Sequence, residues 1–305
     1  MAHILDCNIY KKKEDAYVPY AQNVKNAKNI REALLTKIKA QDAAVDIYNK
    51  FHTTTKGRLC FKDGVMDFKT KHFYPWDMVD FEYYTTNMID YNIEDYLRNP
   101  NMEIIEEIKR DIFDNLFGTD VNLALNFLSR AFAGHYEDKI WASYLGNRNC
   151  GKGIVYELIN SALEEYVNTI DIMNFMGERT TSTKQNSREL YWAIDLEFVR
   201  LAISQEIPKP ESRLKLLPEF KKFAGGGDTI TTRRNFDRKD TKFVIDTTFM
   251  FMGNDELVID TPDMNEQRLE FNSVCQVKSQ DEINTMRSNG DDELLISSYK
   301  LKTLH

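Results

Sequence analysis

The sequence lacks any apolar run approaching the roughly 20 residues that a bilayer-crossing helix needs. Its opening stretch, MAHILDCNIYKKKEDAY, holds no apolar segment of signal-peptide length. The expectation is a soluble intracellular protein with no membrane partner. Cysteine is scarce. Cys7, Cys60, Cys150 and Cys275 stand far apart with no CxxC pair, and His3, His52, His72, His135 and His305 fall at no metal-ligand spacing. This argues against a zinc site and against a disulfide framework. Internal repeats and low-complexity tracts are also missing. What remains is ordinary globular material in 305 residues: 42% hydrophobic, 12% aromatic and 29% charged. That disfavours collagen-like and disordered chains and leaves room for one large domain or two modest ones.

The formal charge of -8 argues against a protein that coats nucleic acid with its whole surface. The balance is not uniform. Between 209 and 242 stand ten basic residues and five acidic ones, so a net positive segment is carried on an otherwise acidic chain. If a polyanion is handled, this segment is the first place to look.

Residues 27 to 50 place Ile30, Leu34 and Ile38 at helical spacing. In RLCFKDGVMDFKTKHFYP, an Asp-Gly pair between two apolar runs predicts a β-hairpin about Lys62-Asp63-Gly64. Residues 102 to 134 read as two amphipathic helices broken at Gly118, with Asp120 as N-cap. After His135 the texture becomes short apolar strands (140–145, 198–204, 243–252) alternating with helices (152–166, 211–223), the pattern of an α/β domain with a mostly parallel sheet. The polar C-terminal stretch suggests one short helix about Glu293 to Tyr299. The division expected is a smaller α+β region over 1–101, a helical collar over 102–135, an α/β domain over 136–278 and a tail over 279–305.

The chemistry sits at strand ends. The strand at 140–145 runs into Gly146-Asn147-Arg148-Asn149-Cys150-Gly151-Lys152-Gly153 and then a helix, the context a phosphate-binding loop requires. Glycines let backbone N–H groups turn toward phosphate oxygens, the helix terminus adds its dipole, and Lys152 reaches the β and γ phosphates of ATP. Gly146, Asn149, Gly151, Lys152 and Gly153 are therefore candidate nucleotide ligands. Gly153 stands where a Ser or Thr hydroxyl normally ligates Mg2+. A second strand ends in RLAISQEIP, and Glu206 reads either as the acid that holds Mg2+ and polarises water or as a surface glutamate before the Pro208 turn. A third ends at Gly253-Asn254-Asp255, where Asn254 is either a γ-phosphate sensor or a turn former. Arg268 reads either as an arginine finger or as a surface partner of Glu266 or Glu270. Between the second and third strands, KKFAGGGDTITTRR suggests a mobile loop or hairpin presenting Lys221, Lys222, Arg233 and Arg234 to the phosphates of a single strand. Phe223 and Phe236 fit core packing better than base stacking.

Taken in order, GNRNCGKG, RLAISQEIP, KKFAGGGDTITTR, FMFMGND and QRLEF resemble the motifs of the superfamily 3 helicases. The segments LCFKDGVMDFKTKHFYP and YTTNMIDYNIEDY resemble the region preceding the helicase core in poxvirus-type primase-helicases of large DNA viruses and their phage and plasmid relatives. The likeness spans roughly residues 58 to 275. It implies an AAA+-like ATPase that binds ATP through Gly146, Gly151 and Lys152, with Glu206 as the Mg2+ and water acid and Asn254 as sensor. Lys222, Asp228 and Arg233 match the family's DNA-contacting block, and Arg268 matches an arginine acting on a neighbouring subunit. A hexameric ring moving on single-stranded DNA, at a viral replication site or in the host cytoplasm, is implied as well. Primase activity would lie in a separate protein. A nucleotide-binding but nonhydrolysing subunit is the alternative that Gly153 raises.

Overall fold

The computed structural model describes residues 10–13, 16–19, 50–80, 83–177, 190–208, 215–216, 219–232, 241–259, 262–273, 275–289 and 295–297. The chain forms two compact units, Met1–Thr54 with Glu82–Tyr84, and Thr55–Phe81 with Thr85–His305. In the first, β1 (Tyr10–Lys13) and β2 (Ala16–Pro19) pair antiparallel. The helix expected from Ile30, Leu34 and Ile38 lies outside the described residues.

The second unit opens with a three-stranded antiparallel sheet, β3 (Arg58–Phe61), β4 (Gly64–Asp67) and β5 (His72–Pro75). Phe61 pairs with Gly64 across the Lys62-Asp63 turn, as the Asp-Gly signal predicts. A side chain on Gly64 would collide with the Tyr74 carbonyl, so close strand approach selects the glycine. The next segment does break at Gly118 (φ 53, ψ −124). Before it run α1 (Met102–Ile108) and a π-helical stretch, Lys109–Asp114, and after it α2 (Val121–Phe132). Asp120 occupies the cap position of α2, but its side chain makes no cap hydrogen bond. Val121, Ala124, Phe127, Leu128 and Ala131 form the buried stripe of α2.

The centre is a five-stranded parallel sheet. In chain order, β6 (Trp141–Leu145) leads through α3 (Lys152–Leu163) to β7 (Val167–Thr169), and β8 (Leu201–Ser204) comes next. A short helix, α4 (Phe220–Ala224), and an antiparallel hairpin of β9 (Thr229–Thr232) with β10 (Thr241–Val244) follow β8. The strands β11 (Thr248–Gly253) and β12 (Arg268–Asn272) then complete the sheet, whose spatial order is β12-β6-β11-β8-β7. Each inner strand is buried on both sides because both faces are covered. On one face Tyr144 stacks on Phe117 (4.8 Å), which meets Phe271 edge-on, with Met250, Met252 and α3's Val155 and Ile159 in the same core. On the other, Trp141, Phe175, Phe220, Phe249 and Phe251 form an aromatic cluster with centroid spacings of 5.0–6.5 Å. Each such ring contributes about 1.5–3 kcal/mol through burial.

Three expectations are corrected. The helix expected over 211–223 is, where described, a strand pair of Lys215–Leu216 with Met176–Gly177, followed only by α4. Leu216 is buried and Pro218 offers no backbone donor, so tertiary pairing overrides helical spacing. The strand expected over 243–252 is divided: Thr241–Val244 belongs to the hairpin, and β11 starts at Thr248 after Thr247 has turned its hydroxyl to the carbonyls of Leu196 and Val199. Of the helix expected over Glu293 to Tyr299, the described residues form β14 (Leu295–Ser297) instead, pairing parallel with β13 (Gln276–Lys278). The helix lies earlier, as α5 (Gln280–Ser288). No helix among the described residues is long and apolar enough to cross a membrane.

Candidate nucleotide site

All five strands of the central sheet run parallel, so their carboxyl ends share one edge, with Gly253 level with Leu145 and Phe251 level with Ser204. The Gly146–Lys152 loop springs from this edge and leads directly into α3. Its path needs left-handed backbone at Asn149 (φ 63) and Gly151 (φ 85). Asparagine tolerates that region, whereas at Gly151 a side chain would also lie 2.5 Å from Leu116 Cδ2. At Gly146 it would meet Cys150 Sγ at 2.5 Å and Ser273 Cβ at 2.8 Å. The loop is tied down from three neighbours. Gly146 N–H donates to the Gly253 carbonyl (3.1 Å), the Ser273 hydroxyl to that of Cys150 (3.0 Å), and Val277 N–H to that of Asn149 (2.7 Å).

Lys152 turns back over this cradle. Its ammonium donates to the carbonyls of Gly146 (2.6 Å) and Asn147 (3.1 Å), lies 3.1 Å from Cys150 Sγ, and donates to Asn254 Oδ1 at 2.9 Å. Two residues singled out separately in the sequence, 102 positions apart, thus meet. Asn254 follows β11, which lies between β6 and β8, and Glu206 lies exposed just beyond β8. Loop lysine, asparagine and acid therefore line one edge on three adjacent strands. A cradle closed to side chains at Gly146 and Gly151, with a cation over it, fits a polyphosphate. For a divalent cation the fit is thinner. No group of three His, Cys, Asp or Glu able to hold a metal exists among the described residues, so Glu206, nucleotide phosphates and water would supply the ligands. Gly153 is exposed, and a side chain there would meet nothing within 4 Å, so packing does not demand glycine at that position.

The remaining candidates separate. Arg268 opens β12 level with Trp141, the end of β6 opposite the loop. Its guanidinium is largely buried and pairs with Glu270 (2.9 Å) and Glu256 (3.5 Å), the first being one of the partners expected from sequence. Lys221 pairs with Asp263 at 2.6 Å, and that pairing holds the Asp263 carboxyl below its ordinary range. Lys222 is exposed on α4. Arg233, Arg234 and Phe236 lie outside the described residues. Phe223 is core, stacked on Trp192 at 5.5 Å. Sequence reasoning misses Ser273 and Val277 as the loop's supports; only their position in space marks them.

Residues 3–114 match the family model described as D5 N terminal like. Over 266 residues the chain is 27% identical to the protein named "Putative helicase V13" of Sputnik virophage, covering 83% of this chain and 32% of that protein. The chain thus spans about a third of the length of the curated relative it matches. Among solved structures, the apo C-terminal region of NrS-1 is similar with a TM-score of 0.39 at 16% identity, covering 56% of this chain and 37% of that one. JCV helicase is similar with a TM-score of 0.40 at 11% identity, covering 93% and 69%. The sequence comparisons agree with the resemblance drawn from the motifs: the chain is similar to viral helicases of the primase-helicase type.

Proposed function

We propose that this chain is the ATPase part of a viral DNA helicase of superfamily 3, hydrolysing ATP to move on single-stranded DNA. The observation that carries the reading is the 2.9 Å bond from Lys152 to Asn254 at the edge where Glu206 also stands. In the proposed reaction, backbone amides of the loop from Gly146 through Asn149 and Gly151 to Gly153 hold the β and γ phosphates. Lys152 exchanges its carbonyl partners for phosphate oxygens and offsets the charge that develops on the transferred phosphoryl group. Asn254 orients water in line with the γ phosphate. Glu206 accepts the proton of that water as its oxygen attacks phosphorus and the bond to the β phosphate breaks. Glu206 would hold Mg2+, which would supply charge neutralisation for the phosphoryl transfer.

Lys222, Arg233 and Arg234 are proposed contacts to DNA phosphates, with Lys221 held by Asp263 as their neighbour. Arg268 is proposed to act on a neighbouring subunit's nucleotide in a hexameric ring, which requires release from Glu270 and Glu256. A separate primase and a soluble site of viral replication complete the reading. The 136–278 segment is proposed as the motor, with 102–135 as its collar.

The test is steady-state phosphate release with Mg2+, with and without single-stranded DNA. DNA-stimulated turnover that collapses in Lys152→Ala is expected. Turnover indifferent to that substitution, or absent both in the natural chain and in Gly153→Ser, would sink the reading.

A further inference from the structure

The glycine run before the hairpin is not explained by the nucleotide site. Gly226 (φ 58) and Gly227 (φ 73) adopt left-handed backbone. A side chain on Gly226 would collide with the Tyr136 ring, and one on Gly227 would lie 3.6 Å from Tyr136 Cε2. The backbone therefore rests directly on the Tyr136 ring, which only glycine permits. Gly227 N–H donates to the Ile245 carbonyl at 3.0 Å, closing the base of the hairpin just outside the Thr229–Val244 pair. Tyr136 is itself held. Its hydroxyl donates to Asp246, the residue after Ile245, and the Lys56 ammonium lies 4.9 Å from its ring centre. Two residues before Tyr136, Gly134 (φ 72) passes so close to buried Arg200 that a side chain there would overlap the guanidinium. One aromatic ring thus joins the end of α2, the start of β11 and the base of the β9–β10 hairpin.

We propose that Tyr136 is a positioning residue for single-stranded DNA: its ring seats the Gly226-Gly227 backbone and so fixes the direction in which the β9–β10 hairpin leaves the sheet. This rests on the helicase reading above, in which the hairpin block meets DNA. Burial and the Asp246 carboxylate push the hydroxyl up to about 12, so it remains a donor at every working pH.

The experiment uses the full chain and an oligothymidylate, read by fluorescence anisotropy, beside ATP hydrolysis without DNA and amide exchange over Thr229–Thr232. Tyr136→Ala and Gly226→Ala are each expected to weaken DNA binding by about tenfold or more, because small misplacements of a binding element carry penalties of that order. DNA stimulation is lost with it, while hydrolysis without DNA stays within about twofold of natural and the Thr229–Thr232 amides exchange faster. Tyr136→Phe keeps the ring and remains near natural. Natural DNA affinity in folded Tyr136→Ala, or a parallel loss of DNA-free hydrolysis, overturns the proposal. If the natural chain binds no DNA, the helicase reading fails first, and amide exchange decides Tyr136 alone: unchanged exchange in Tyr136→Ala overturns the seat, faster exchange supports it.

Discussion

The two edges of the parallel sheet are built on opposite plans. At the carboxyl edge, exposed Asn254 and Glu206 stand just beyond strand ends, and half-buried Lys152 turns back over a backbone loop between Gly146 and Gly151. At the amino edge, polar groups are buried beneath the sheet. Arg200 is 6% exposed and donates to the Thr55 carbonyl at 2.7 Å, while Thr247, 1% exposed, donates to two carbonyls. A buried cation is tolerable only when its partners are kept. On the proposed reading the first edge exchanges partners with a nucleotide, whereas the second keeps the ones it has. Substitutions of the exposed side chains at the first should cost turnover with little stability, and at the second stability before anything else.

The largest effect expected is at the carboxyl edge. Glu206→Gln should lower ATP hydrolysis by about 10²–10⁴-fold, the usual range for a general base, while the urea midpoint stays near natural because the side chain is exposed. A large loss of stability in that variant would show that Glu206 is structural. The counterpart is Gly134→Ala, which must move Arg200 and adopt left-handed backbone. A destabilisation on the order of 3–5 kcal/mol is expected in urea unfolding. An unchanged midpoint would erase the contrast between the edges.

Within the loop the same comparison applies to two glycines two positions apart. Gly151→Ala should cost about 1–2 kcal/mol from its left-handed backbone alone, more once Leu116 is displaced. Gly153→Ser has open space and replaces a helical glycine, so a gain of a few tenths of a kcal/mol is expected. Equal effects on thermal stability in the two variants would contradict the geometry.

The carboxyl edge is legible in the sequence because its logic is local. Glycine spacing, a strand before and a helix after identify the loop without knowledge of what packs on it, and the Asp-Gly turn identifies its hairpin in the same way. The strands β7 and β12 are not legible. Val167–Thr169 is short, and Arg268–Asn272 is only partly buried, so neither shows a continuous apolar run. Helix α5 does carry a local signal, a Ser followed three residues later by Glu. Ser279 and Glu282 form a reciprocal cap, with Ser279 N–H donating to Glu282 Oε2 (2.9 Å) and Glu282 N–H to Ser279 Oγ (3.3 Å). The amino edge has no such signal. Tyr136, Arg200 and Asp246 come from three distant segments, and nothing in the periodicity of any one of them points to the other two.

The smallest effect expected concerns the ion pair beside Tyr136. Burial tends to raise the Glu137 carboxyl, but bonds from Lys56, its own backbone N–H and His135 outweigh it and bring the carboxyl down from 4.5 to about 2. A folded-state value below the unfolded one means that the contribution is fully present above about 4.5 and is lost as pH falls through that value toward 2. Lys56→Met keeps the stem over the ring and removes the charge. The natural chain should lose stability faster than this variant between pH 4.5 and 2, and the gap should narrow with added salt because the pair is partly exposed. Urea midpoints that fall in parallel for both proteins would show that the pair adds nothing, leaving the Asp246 bond and the glycine backbone to hold Tyr136 in place.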